Sequence, residues 1–409
     1  MIAAAADAMV GVRSAGSCRR RNRDRLRNLG YAICSLAYVL GFPGRAAHAQ
    51  APITSRAYAI DLYDGVAIGN TTMTGMGGAG AANVIGTAGV LLNPAAMAVR
   101  ATTDSDSWGL DWHLVALYGA PSSDYDNNGK DAADGASLVT AGLGGRYHDW
   151  GLAATGIVQA TPAGSGITAN AERVRVALSK WIPDYDLSVG VGVQSATFHL
   201  DQASGMPLFS ITGIGGVVGV TWVPREQSFR LAAAVDTPID GGQIEAQGCD
   251  PESCHGYILP DHVRAPWRLV AGAAMRLADT AWNQIIDKPF RDEQALTIAA
   301  DIVVTGATDG NGIEAFGMHM LQPSGRNTVI GYRGGLDYEL GPGRFRVRAG
   351  AYWEPGRFDG VGGRGHLTFG GDLRVFHFWF FGPRRGRISL TSDVARGYRN
   401  AGFSIGLWN

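Results

Sequence analysis

Charge is scarce in this sequence. Only 17% of its residues are Asp, Glu, Lys or Arg, against about 25% in ordinary soluble domains. Long apolar runs are missing too: after residue 49 none approaches the roughly 20 residues of a membrane-spanning helix. Cysteine is rare, with four in the chain. A basic surplus is absent, because the formal net charge is −1. The first 49 residues hold eight Arg and two Asp, a net of six positive charges, so the remainder carries about −7. That excludes the basic face that a nucleic-acid partner requires. Glycine is abundant instead, at 59 residues, yet the mean hydropathy is close to zero. A charge-poor, glycine-rich chain that is not apolar must alternate polar and apolar residues or pack poorly.

Residues 1–49 read as a secretory signal peptide. A block of arginines from Arg19 to Arg27 precedes the uncharged run Leu29 to Phe42, and Ala47-His48-Ala49 is a small-x-small cleavage site. Cys18 and Cys34 leave with it. The pair that remains, Cys249 and Cys254 in "CDPESC", reads as a loop disulfide in an exported chain. A zinc site using His255 is the alternative, though two thiols and one adjacent imidazole make a poor tetrahedron.

Beyond residue 100, period-two alternation recurs. In "RFRVRAGAYWE" Phe345, Val347, Ala349, Ala351 and Trp353 oppose Arg344, Arg346, Arg348 and Glu354. In "LSVGVGVQ" Leu187, Val189, Val191 and Val193 oppose Ser188 and Gln194. Strands of about ten residues, apolar outside and polar inside, are the mark of an outer-membrane barrel. Lipid offers the backbone no hydrogen-bond partner, so a spanning sheet must close. Fourteen segments begin near Trp108, Ser137, Gly151, Glu172, Leu187, Leu208, Phe229, Arg264, Leu296, Thr328, Arg344, His366, Arg387 and Gly402. The number is even, as a bacterial single-chain barrel requires. Tight turns ("HDWG", "PDYD", "PREQ", "GPG") alternate with longer junctions, while those after Leu277 and Val375 break the pattern. Trp150, Trp181, Trp222, Trp353 and Trp379 fall at strand ends, where interfacial girdles sit. A soluble β-sandwich is the alternative to the barrel.

The stretch Gly75-Met76-Gly77-Gly78-Ala79-Gly80 fits G-x-G-x-x-G. A dinucleotide loop needs a βαβ unit around it, and nothing here alternates strand with helix. With its continuation to Asn93-Pro94-Ala95, the stretch resembles the N-terminal segment of the FadL/TodX family of outer-membrane transporters for hydrophobic compounds. "ILPDHVRAPWRLVAGAAMRL" (Ile258 to Leu277) resembles that family's later strands as well. The resemblance implies an all-β fold: a closed antiparallel barrel of about 14 strands spanning 105–409, with residues 50–104 inside it as a hatch. The hatch motif is then Gly77, Gly78, Gly80, Asn93, Pro94 and Ala95. It implies passive uptake across the outer membrane of a Gram-negative bacterium, with long-chain fatty acids the first substrate class. Release would be sideways into outer-membrane lipid at a kinked third strand, where Gly156 is the candidate kink. Lipid contact at such an exit favours a monomer, inserted by the barrel assembly machinery.

Other constellations carry weaker expectations. Asp124, Asp126, Asn128 and Gly129 begin like a calcium loop, but Gly135 stands where a bidentate Glu belongs. A solvated acidic loop is the ordinary reading. The inward charges of the last strands have both signs and suit a bracing network, in which Arg333, Arg346, Arg348 or Arg374 could hold a substrate carboxylate. No G-x-S-x-G elbow occurs, so neither an enzyme nor a cofactor is expected. A non-transporting surface barrel (adhesin or scaffold) and a non-specific porin are the competing functions.

Overall fold

The computed structural model describes residues 50–408 except 64–68, 101–106, 133, 164–165, 203–204, 206, 247, 287, 289 and 380–382. The expected signal peptide, residues 1–49, lies outside the described residues. Fourteen antiparallel strands close into a barrel. They are β1 (Trp108–Gly119), β2 (Ser137–Tyr147), β3 (Trp150–Pro162), β4 (Ile167–Ile182), β5 (Leu187–Gln202), β6 (Pro207–Trp222) and β7 (Phe229–Asp236). Then follow β8 (Arg268–Ala278), β9 (Ala295–Thr305), β10 (Val329–Gly341), β11 (Phe345–Glu354), β12 (Arg364–Trp379), β13 (Pro383–Ala395) and β14 (Tyr398–Leu407). Each strand pairs with its sequence neighbours, and β14 closes the wall on β1, with Ser404 opposite Val115. No helix among the described residues is long and apolar enough to cross a membrane. The crossing is made by strands, and closure leaves no edge unpaired in lipid.

The outer wall is apolar all round. Leu114, Leu152, Val176, Val191, Leu336, Val347, Leu367 and Phe403 are all exposed large hydrophobics. In water such a surface would aggregate; in lipid it is the solvated one. Trp150, Trp222 and Trp379 stand exposed at the short-turn ends of their strands and Trp353 at the long-loop end. Trp408 differs from these. It lies beyond β14, buried, with the Arg346 guanidinium 4.5 Å from its ring centroid. A charged partner inside the mouth draws this aromatic off the lipid face.

The polarity of the wall inverts along β4, β5 and β6. In the lower part of β5, Val191 and Val193 face out while buried Gln194 faces in. Higher up, Phe198 and Leu200 are buried inside and Thr197, His199 and Asp201 face out. The side-chain parity is unchanged; only the chemistry switches. Apolar residues turn inward where the strand leaves lipid for water, so the upper ends of these strands stand above the membrane.

That upper mouth is filled by a cap. Ala59–Asp61 is the centre of a five-stranded sheet, flanked in parallel by His262–Ala265 and by Gly310–Asn311, with Ile239–Asp240 and Pro323–Ser324 outside them. Ile60 packs in one apolar core with Phe198, Leu200, Phe209, Leu259 and Phe316. The Asp61 carboxylate pairs with Arg357 at 3.0 Å, both buried. The expected hatch, residues 50–104, thus divides in two. Its first part is a strand in the loop layer, because the alternating Tyr58-Ala59-Ile60-Asp61 needs sheet partners. Among the described residues, 69–100 lie in the lumen against the wall.

The acidic loop of residues 124–129 joins this cap. Asp124 accepts from the amides of Asn128 (2.9 Å) and Gly129 (3.0 Å), and Asp126 from Asn128 (3.3 Å). Asn128 Nδ2 donates to Glu314 Oε2 at 2.6 Å, on helix α3 (Ile313–Gly317; the first two helices lie in the hatch). Loop amides therefore take the carboxylates that a calcium ion would need. Burial and then the nearby Asp124 charge push the Glu314 carboxyl up to about 7, against the pull of its bond from Asn128. An acid whose pKa is raised on folding stabilises the fold fully below its unfolded pKa. That contribution is lost as pH rises through the folded value. We expect the cap to loosen between about pH 4.5 and 7, read as faster amide exchange in residues 310–322. Glu314→Gln should flatten that dependence.

Candidate functional site: the hatch and its two chambers

The hatch crosses the lumen as two short helices, α1 (Thr71–Gly75) and α2 (Gly86–Val90), and a 3-10 turn, Pro94–Met97. None is long enough to be stable alone. The wall holds them. Asn93 is fully buried and acts both ways: its Oδ1 accepts from Ala95 N at 3.0 Å, capping the turn. Its Nδ2 donates to Val220 O (3.1 Å) and Thr221 Oγ1 (2.9 Å) of β6. Ser188 of β5 donates to Ala95 O at 2.7 Å. Gly80 and Ala81 amides both donate to Asp301 of β9 (2.8 and 3.0 Å), and Thr87 N donates to Asp111 of β1 at 2.6 Å. Arg175 of β4 reaches the carbonyls of Val90 (3.1 Å) and Leu91 (3.2 Å).

Close approach explains the glycines. A Cβ on Gly219 would lie 2.2 Å from Asn93 Oδ1, and one on Gly190 would lie 2.4 Å from Ala95 N. Gly77 has φ of 64° and donates to Thr368 Oγ1 at 2.9 Å; a Cβ there would meet the backbone of β10 and β11. Gly78 also has positive φ, 77°, while Gly80 leaves room for Met73. The motif residues Gly77, Gly78, Gly80, Asn93, Pro94 and Ala95 are all brought against the wall. Sequence reasoning missed the receiving side: Gly190, Gly219, Asp301 and Arg175. Their signal was parity. Each is an inward position, and Asp301 is the lone acid of "LTIAADIVVT".

Above the hatch lies a chamber of about 100 Å³. Leu62, Tyr63, Met73, Leu92, Ile157 and Trp353 supply apolar lining. On one side Asp236 Oδ2 is clamped by Arg268 (2.6 Å) and Arg175 (3.0 Å). On the other stands Arg333, whose Nη1 lies 3.4 Å from Gly78 O and which has no carboxylate partner among the described residues.

The other expected carboxylate partners are engaged or distant. Arg348 is wholly buried between Asp337 (2.8 Å) and Asp372 (2.6 Å). Arg346 pairs with Glu339 at 3.2 Å. Arg374 stands half-buried at the short-turn rim, opposite Arg387. The bracing network continues upward through His366, held 3.0 Å from both Glu354 and Asp393.

At Gly156, the expected kink, both neighbouring strands keep register, with Ala141 on one side and Val174 on the other. Register shifts occur instead at Leu200/Asp201, Glu339/Gly341 and Arg374/Phe376. Cys249 and Cys254 are bonded to each other. With His255 they are the one trio of His, Cys or acidic groups among the described residues whose ligand atoms converge.

No family model and no curated sequence matches the chain. Solved structures do. A FadL homologue from Pseudomonas aeruginosa superposes with a TM-score of 0.50 at 15% identity, covering 88% of this chain and 99% of that one. The CymD monoaromatic hydrocarbon channel gives 0.51 at 15% identity, covering 84% and 97%. The chain has the closed-barrel fold of these structures. At such identity the likeness concerns the fold alone. The closed apolar wall, with short turns at one end and long loops at the other, is what an outer membrane demands.

Proposed function

We propose that this protein is a passive channel admitting small hydrophobic compounds through the outer membrane of a Gram-negative bacterium, and not an enzyme. The observation that carries the reading is the partly apolar chamber between cap and hatch. A cavity of about 100 Å³ is on the scale that accepts one benzene-sized guest. An apolar solute gains by leaving water for such a lining, and a hatch below it prevents an open aqueous pore. The monoaromatic channel CymD shares the fold, which supports the same size class here.

A long-chain fatty acid is the second reading, favoured by Arg333. A carboxylate there would find a buried guanidinium, and charge-assisted pairs are strong. The chain of such a ligand would require the cap to open.

The test is uptake of labelled toluene and labelled oleate by cells that lack their own hydrophobic-compound channels and express this protein. Val303→Trp, which fills the chamber from β9, should cut toluene uptake several-fold at equal outer-membrane level. Oleate uptake sensitive to Arg333→Gln would favour the second reading. No uptake of either by inserted protein would leave the scaffold reading, and a large steady ion conductance the porin.

A further inference from the structure

A second, larger cavity of about 510 Å³ lies on the opposite side of the hatch, at the short-turn end. Asn83, Val84 and Ile85 of the hatch roof it, and Trp282, Lys288, Phe290, Arg291 and Asp292 of the long β8–β9 connection border it. This is the junction after Leu277 whose length broke the turn pattern. It folds back into the mouth: Trp282 is buried, and Arg291 donates to its carbonyl at 2.8 Å.

The lining is strongly cationic. Nine Arg or Lys residues border the cavity against four acidic ones. The four acids are already engaged: Asp111 by Thr87, Asp292 by Arg385, Asp337 by Arg348 and Glu339 by Arg346. Arg276 and Arg291 share Glu293, at 3.3 and 2.6 Å. Arg230, beside them, is buried and has no carboxylate partner among the described residues; its Nε donates to Asn283. Arg230 thus adds a buried positive charge beside the Arg276–Glu293–Arg291 cluster, in a chain that is otherwise slightly acidic. Burying such a charge is unfavourable unless an anion joins it.

The same cavity carries aromatic faces. Arg230 stands 4.0 Å from the Trp282 ring centroid, Arg346 4.5 Å from Trp408, and Arg385 3.6 Å from Phe290. Flat rings bearing guanidinium groups offer a guest both a stacking surface and an ion pair. Aliphatic side chains, among them Ile85, Leu110 and Leu407, complete the lining.

We propose that this vestibule is a binding site for a small aromatic carboxylate. The guest's carboxylate completes the Arg230–Arg276–Arg291 cluster and its ring lies among Trp282, Phe290 and Trp408. The site is separate from the chamber above the hatch, so failure of toluene or oleate uptake leaves it standing.

The measurement is calorimetric titration of the purified full-length protein in detergent with benzoate, benzamide and acetate. Benzoate should bind saturably and benzamide, its neutral isostere, at least about tenfold more weakly, because the ion pair is lost. Acetate should also bind at least about tenfold more weakly, because stacking is lost. Arg230→Gln should weaken benzoate about tenfold. Lys288→Gln changes an exposed loop residue on the cavity border. It should weaken benzoate a few-fold and keeps the test valid if the buried substitution impairs folding. Equal affinity for benzamide, acetate binding as tight as benzoate, or benzoate binding indifferent to both substitutions would each overturn the proposal.

Discussion

Gly219→Val is expected to unseat the hatch while leaving the barrel intact. The new side chain must occupy the space of Asn93 Oδ1, 2.2 Å from the position of a Cβ, and of Pro94 Cδ, 2.8 Å away. Pro94 cannot move without breaking the 3-10 turn, and Asn93 cannot move without losing three hydrogen bonds. Overpacking costs on the order of 1–3 kcal/mol, and each buried polar group left unpaired adds about 1–3 kcal/mol. The hatch helices have little stability of their own to set against this. The outer wall is untouched, because Gly219 faces inward and its ladder partners Gly190 and Ala234 remain. Planar-bilayer recordings should show wild-type protein nearly closed and the variant conducting in large steps. Unchanged conductance in a correctly inserted Gly219→Val barrel would mean that the Asn93 anchor does not hold the hatch shut. Asn93→Ala should move the same way by a smaller amount, since it removes the bonds without the clash.

Arg348→Ala should produce the largest loss of barrel stability. The guanidinium is wholly buried between Asp337 and Asp372, and Asp372 also binds Arg387 at 2.8 Å. Removing the central cation leaves Asp337 without its partner and Asp372 with Arg387 alone, and breaking a buried pair costs about 3–5 kcal/mol. The folded barrel should lose its heat-resistant gel mobility at a markedly lower temperature. Replacing the triad by apolar residues of similar volume (Arg348→Met with Asp337→Leu and Asp372→Leu) should recover much of the loss, because the penalty lies in the unpaired charges. If Arg348→Ala alone melts like the wild type, the network is not structural, and its arginines become candidates for substrate contact.

Much of the wall was legible from period-two alternation. Trp108, Ser137, Leu187 and Phe229 open strands where the pattern placed them. β4 opens at Ile167, ahead of the expected Glu172. Its first residues reverse the pattern, apolar inside and polar outside, because they stand above the lipid and cover the cap core. A rule tuned to the membrane belt does not see them. The hatch motif was legible because its glycines and the Asn-Pro pair encode a local backbone shape. The arginines were legible only as inward charges. Arg333 and Arg348 share a parity and a neighbourhood in the sequence, yet one is clamped by two carboxylates and the other borders the upper chamber.

By itself, the sequence determined the class of wall, the number of strands and the face each residue presents. These follow from a two-residue period and from turn chemistry, which are local properties of the chain. Tertiary structure alone decided which charges meet, how large each chamber is, that Ala59–Asp61 joins the cap, and that the β8–β9 connection lines a cationic mouth. Those outcomes depend on closing β14 against β1 and on the stagger this imposes across the lumen. Closure brings together side chains hundreds of residues apart, and no local period records which of them will touch.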